Sequence, residues 1–121
     1  MNEDTIKYDE ENDEYSIIYE GIKFSWEEKP DKEDLKAIKV LARNYHKNID
    51  NIASFILDEL GYMSDGTITL DEAKEKLGMP IIEPELELVT YCEQTFDSTH
   101  IFSFEYVDDN FEDLESLAVD G

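Results

Sequence analysis

The chain has little cysteine, no long apolar run and, in its second half, almost no positive charge. Its single cysteine, Cys92, excludes an internal disulfide framework and is typical of a reducing compartment. No stretch of about 18 apolar residues is present, and the first residues lack the basic and apolar regions of a secretory signal. We therefore expect a cytoplasmic protein that does not act at a membrane.

Negative charge is abundant instead. Ten Lys and Arg residues stand against 32 Asp and Glu residues in 121, which gives a formal net charge of −22. No Lys or Arg follows Lys76, whereas residues 77–121 contain 12 acids. Solubility alone needs a net charge of only about 2–8 in a small domain. A field of this sign repels nucleic acid and anionic membranes and accelerates encounter with a basic protein. The alternative is adaptation to general solubility or high salt.

The first half of the sequence predicts a hairpin and then a long helix. Residues 15–19 and 22–26 are short β-rich runs, and Glu20-Gly21 between them suits a tight two-residue turn. In the acidic segment 1–12 we expect fraying, apart from a short strand at residues 6–8.

The helix is predicted to begin after Asp31, a favourable N-cap residue. Apolar residues then recur at steps of three and four as far as Leu60, which indicates one helical face. Residues 48–51 could bend or split this helix, and Gly61 is the expected end.

The second half predicts a short helix followed by strands. Asp65-Gly66 indicates a turn, and Thr69 with Glu72 forms a capping box for a helix to about Leu77. Strands are expected at residues 85–93 and 100–107, with an edge strand at 114–119. The predicted fold class is α+β, with an antiparallel sheet of four to six strands packed on one long helix, plus a short second helix, in a single domain spanning residues 1–121.

Motifs that could support catalysis or metal binding are incomplete. Asp65, Gly66 and Glu72 have the spacing of half an EF-hand loop, but Gly61 and Met63 stand where the first ligands belong. Cys92 and His100 form a possible thiol–imidazole pair, but the charged residues around them are acids, whereas a reactive thiolate needs an electropositive setting. We therefore expect a buried structural Cys92, no enzymatic activity, no metal and no cofactor.

The acid-rich β segment is the strongest candidate for a binding surface. Glu83, Glu85 and Glu87 alternate along a predicted strand, which places them on one face about 6–7 Å apart, a spacing comparable to that of phosphates on a nucleic-acid strand. Leu86 and Leu88 are then expected to face the core. Tyr91, Phe96 and Phe111 are candidate exposed aromatic anchors. The residues predicted to contact a partner are Glu83, Glu85, Glu87, Tyr91, Glu93, Phe96, Asp97, Asp108, Asp109, Phe111, Glu112 and Asp113. A solvated outer strand face remains the alternative.

Three stretches resemble a group of small acidic bacterial proteins of unknown function that is similar to toxin-neutralising immunity proteins. They are residues 8–24 with Tyr8-Asp9-Glu10-Glu11, the helix end at 56–60, and 100–106 with the closing Val119-Asp120-Gly121. The resemblance implies an intracellular inhibitor that covers the nucleic-acid-binding surface of a basic partner such as a nuclease toxin. A phage or mobile-element inhibitor that mimics nucleic acid is the alternative, and a housekeeping module is a third.

Overall fold

The first three strands form an antiparallel meander. A computed structural model of the chain describes residues 6–60, 68–96 and 100–120. Strands β1 (Lys7–Asp9), β2 (Glu14–Tyr19) and β3 (Ile22–Trp26) pair in sequence order. Glu20 and Gly21 both have positive φ angles, 53° and 76°, as in the type I′ turns that match strand twist. The predicted hairpin is confirmed, and the short strand expected at residues 6–8 is found at Lys7–Asp9.

The long predicted helix is divided in two. α1 (Lys32–Lys47) and α2 (Ile49–Glu59) meet at Asn48, whose backbone is not helical, so the expected split is confirmed and the single long helix is wrong. Asp31 caps α1 as predicted, since its side chain accepts a hydrogen bond from the backbone N–H of Asp34 at 2.9 Å. Gly61, the predicted end, lies outside the described residues.

A short third helix, α3 (Leu70–Leu77), begins at the predicted capping box. Thr69 Oγ1 accepts from the Glu72 backbone N–H at 3.2 Å, and the Glu72 carboxylate accepts from the Thr69 N–H at 3.3 Å. The helix ends at Gly78, which has a φ of 73°. The turn predicted at Asp65-Gly66 lies outside the described residues.

Four further strands complete one mostly antiparallel sheet in the order β1 to β7. They are β4 (Ile81–Glu83), β5 (Leu88–Tyr91), β6 (Ile101–Tyr106) and β7 (Leu114–Asp120). The α+β class is confirmed, but the sheet has seven strands in place of four to six. β3 and β4 are parallel because the three helices form the connection between them. The predicted 85–93 strand begins only at Leu88, while the predicted edge strand is confirmed as β7.

The core lies between the helices and one face of this sheet. Ile22, Phe24 and Trp26 alternate onto that face from β3, as predicted, and are all buried. They belong to the same cluster as the buried apolar residues of all three helices. Alternation places the intervening residues of the strands on the opposite face, which no described helix covers. That open face and the loops at its ends are therefore available to a partner.

Candidate functional site: an acidic cleft at one end of the sheet

The directions of the strands place the acidic loops together at one end of the sheet. The strand pairings place residues 10–13, 27–31, 84–87 and 107–113 at the end where β3, β4 and β6 terminate. We call this the acidic end, because these segments contain 12 acids and one base, Lys29. The described connections at the other end, residues 20–21, 78–80 and 92–96, contain two acids, Glu20 and Glu93. Among the described connections of the sheet, the carboxylates are thus concentrated at one end.

At the acidic end, three chain segments enclose a cleft of about 530 Å³. One segment begins β2, the second ends β3, and the third ends β4 and enters the following turn. We call this space the acidic cleft. Its lining residues are Asn12, Asp13, Glu14, Ser25, Trp26, Glu27, Glu28, Glu83, Glu85 and Leu86.

Six of these residues are acids and none is a base, so the cleft has uncompensated negative charge. Burial raises the pKa of Glu83, and the nearby carboxylates of Glu14, Glu27 and Glu85 raise it further. A compensating Lys or Arg would have the opposite effect. Within the described residues, all three salt bridges lie outside the cleft: Lys36–Glu33, Lys74–Asp50 and Lys74–Asp71. The cleft therefore offers hydrogen-bond acceptors and attracts cations.

The structure separates the three glutamates that sequence alternation placed on one strand. β4 ends at Glu83, and residues 84–87 form a turn in which Glu87 has a φ of 51°. Pro84 explains the difference, because it has no N–H to continue the strand pairing. Glu83 and Glu85 line the cleft and Glu87 does not. Leu86, expected in the core, is 59% exposed at the cleft.

The second predicted cluster, Asp108, Asp109, Glu112 and Asp113, lies in the loop between β6 and β7. Three asparagines around the α1–α2 junction hold this loop by its backbone carbonyls. Asn44 Nδ2 donates to the Asp109 oxygen at 3.0 Å, Asn48 Nδ2 to that of Asn110 at 2.6 Å, and Asn51 Nδ2 to that of Phe111 at 2.9 Å. The Asp108 carboxylate accepts from the backbone N–H groups of Asn110 and Glu112, at 3.0 and 3.3 Å. The main chain is thus fixed, and the side chains of Asp109, Glu112 and Asp113 are exposed.

The prediction of exposed aromatic anchors is wrong for Tyr91 and Phe111, which are buried. Phe111 turns inward because the loop folds back over the helical side, where its ring lies 4.7 Å from that of Tyr106 and 5.7 Å from that of Tyr45. Tyr91 shares a 2.6 Å hydrogen bond with the Tyr45 hydroxyl. Phe96 is half-buried against the core.

Glu87 links the cleft to the second cluster. Its backbone oxygen accepts from the Tyr106 N–H at 3.0 Å. Burial raises the Tyr106 pKa, and the charges of Asp109 and Glu87 add to this effect, so both carboxylates lie near the same ring. Glu93 instead follows β5 at the opposite end, and Asp97 lies outside the described residues.

No protein-family model, curated protein or solved structure matches this chain. Sequence reasoning missed Asp13, Glu14, Glu27 and Glu28 as members of the cleft. The available signal was their position flanking the predicted hairpin strands, at the ends away from the tight turn.

The remaining chemical groups give little support for another site. Cys92 is exposed, contrary to the expected burial. Among the residues that the structure describes, no group of three or more His, Cys, Asp or Glu side chains is arranged to hold a metal ion. None of the described helices is both long and apolar enough to cross a bilayer.

Proposed function

We propose that this protein is an intracellular inhibitor of the immunity type that binds a basic protein partner through its acidic end. The observation that supports this proposal is the concentration of six uncompensated carboxylates from three separate chain segments in one cleft. Like charges placed together destabilise the folded state. A basic partner would relieve that repulsion on binding, and the same field would speed its approach.

A nuclease toxin is the partner class that we favour. Surfaces that bind nucleic acid contain Lys and Arg residues that neutralise phosphates. The acidic end offers a complementary surface, formed by the cleft, by Glu87 and by the loop whose backbone the asparagines fix. Occupying the basic surface of the partner would exclude its nucleic-acid substrate, so binding and inhibition would be the same event.

The distribution of the bases favours this orientation. Half of the ten Lys and Arg residues lie on α1, and all of them are exposed there: Lys32, Lys36, Lys39, Arg43 and Lys47. The cleft lining contains no base. A positively charged partner is therefore attracted to the acidic end more strongly than to the exposed side of α1.

Charge reversal at the acidic end tests the proposal. The tagged protein is used to capture partners from its native host, and each purified partner is then assayed for binding and inhibition. We expect a basic partner whose association slows as salt rises. Reversal of Glu83, Glu85 and Glu87 to Lys should slow association and flatten the salt dependence.

A matched control reverses three exposed acids of the helices, Glu33→Lys, Glu59→Lys and Glu75→Lys, which changes the net charge equally. This control should retain most of the association rate, since the local field at the acidic end is unchanged. Capture of only neutral or acidic proteins, or equal effects of the two triple variants, would refute the proposed function.

A further inference from the structure

We propose that the acidic cleft binds a guanidinium group, presented by an arginine side chain of the partner, with the Ser25 hydroxyl as an acceptor at its floor. The identity of the partner rests on the proposed function. The guanidinium site itself depends only on residues of this chain.

Ser25 points to a ligand independently of the carboxylates. It lies between Phe24 and Trp26, whose side chains are both in the core, so alternation directs the serine toward the open face. The residue lines the cleft and is only 4% exposed. Its hydroxyl makes no hydrogen bond to any residue that the structure describes. Buried hydroxyls normally have a partner, and this one faces a space that a ligand could enter.

The hydroxyl is also open to that space. Within residues 6–60, 68–96 and 100–120, every fully buried side-chain oxygen or nitrogen has a hydrogen-bond partner. Because the Ser25 oxygen has none, it is not fully buried. The space to which it is exposed is the cleft that Ser25 lines. An N–H donor that enters the cleft can reach this oxygen.

The surrounding groups define the chemistry of the ligand. Pairing of Phe24 with Ile82 places Glu83 beside Ser25 on the open face, and Glu14 lies on the same face of β2. Further carboxylates approach from the ends of β3 and β4. Every charged group is an acceptor, so a ligand with several N–H donors and a positive charge is favoured.

A guanidinium group fits this lining better than an ammonium group. It is planar, presents five N–H donors in a fixed fork and pairs with carboxylates through two parallel hydrogen bonds. It is also weakly hydrated and packs against apolar surfaces, which the exposed side chain of Leu86 provides here. The cleft volume of about 530 Å³ lies in the range typical of organic ligand sites, about 300–1,000 Å³.

The only tryptophan of the chain, Trp26, is a lining residue of the cleft whose side chain packs in the core next to Ser25, so a change in its fluorescence is one readout of occupancy. The full-length protein is titrated with three capped tripeptides, Gly-Arg-Gly, Gly-Lys-Gly and Gly-citrulline-Gly, at low and at physiological salt. Backbone amide NMR shifts of Ser25 and Glu83 provide a second readout. We expect saturable binding of the arginine peptide, several-fold weaker binding of the lysine peptide and no response to the neutral citrulline peptide.

Single variants locate the site. Glu83→Gln should weaken arginine-peptide binding about tenfold, because one charge-assisted hydrogen bond is lost. Ser25→Ala should weaken binding by a few-fold while leaving the net charge unchanged. The control Glu59→Gln removes the same charge as Glu83→Gln from an exposed helix position and should change the affinity by less than about twofold.

Equal binding of the arginine and lysine peptides, an equal effect of Glu59→Gln, or the absence of any tryptophan and NMR response would overturn the guanidinium site. If a basic partner is captured but Glu83→Gln and Ser25→Ala leave its affinity unchanged, the inference fails and the proposed function stands. If the arginine peptide binds as expected but no basic partner exists, the proposed function fails and the guanidinium site stands.

Discussion

The hydrogen bond between Tyr45 of α1 and Tyr91 of β5 should give these two residues a large coupling energy in the stability of the fold. The two hydroxyl oxygens lie 2.6 Å apart, both side chains are buried, and the residues are 46 positions apart in the chain. Tyr91→Phe removes the bond and leaves the Tyr45 hydroxyl buried without this partner. An unsatisfied buried hydroxyl costs about 1–3 kcal/mol. For a chain of this length, 1 kcal/mol corresponds to roughly 3–6 °C in melting temperature.

The double variant Tyr45→Phe/Tyr91→Phe distinguishes this coupling from a general packing defect. It removes both hydroxyls and keeps both rings, so no buried hydroxyl is left without a partner and the free energy of unfolding should lie within about 1 kcal/mol of the original. Urea denaturation followed by circular dichroism on all four proteins gives the coupling energy, for which we expect about 1–3 kcal/mol. If the effects of the single variants simply add in the double variant, the hydrogen bond is not the stabilising interaction.

Three further predictions concern pH and the acidic end. Burial raises the pKa of both paired tyrosines and of Tyr106. The free energy of unfolding should therefore be steady below the tyrosine pKa of the unfolded chain, about 10, and should fall as the pH rises above it. Urea denaturation between pH 8 and 11 measures this change. The raised pKa of Glu83 means that protonation of this carboxylate stabilises the fold. Glu83→Gln should therefore increase the melting temperature at pH 7 but not near pH 4. No increase at pH 7 would contradict the claim that burial and neighbouring carboxylates destabilise the charged form. Asn48→Ala removes the 2.6 Å bond to the Asn110 carbonyl, so it should cost about 1 kcal/mol and speed hydrogen exchange selectively at residues 108–113.

The sequence predicted those turns and helix ends that are determined by residues close together in the chain. Glu20-Gly21 supplies the two positive φ angles of a tight hairpin, and Thr69 with Glu72 satisfies the first backbone groups of α3. The non-helical backbone at Asn48 likewise lies within the segment where the sequence indicated a break. These predictions needed only neighbouring residues.

Prediction from sequence failed where distant segments meet or where a local signal was overlooked. Pro84 is a local signal against a continuous strand through Glu83 and Glu87, and it favours the turn that the structure has there. No local pattern shows that β3 pairs in parallel with β4, because the path of three helices decides this. The cleft depends on that pairing, since it brings residues 12–14 and 25–28 beside residues 83–86. The inward direction of Phe111 similarly depends on the folded-back loop.

β3 and β4 share fewer residue pairs than any other two neighbouring strands of the sheet. Their contact comprises the pairs Lys23–Ile81 and Phe24–Ile82, with one added hydrogen bond from the Lys23 N–H to the Pro80 oxygen, whereas β2 and β3 share five residue pairs. The cleft spans this contact, with Trp26 on one side and Glu83 on the other. A ligand that contacts both sides of the cleft would hold strands β1–β3 and strands β4–β7 together. The rate at which these two parts of the sheet separate should therefore fall as the cleft becomes occupied.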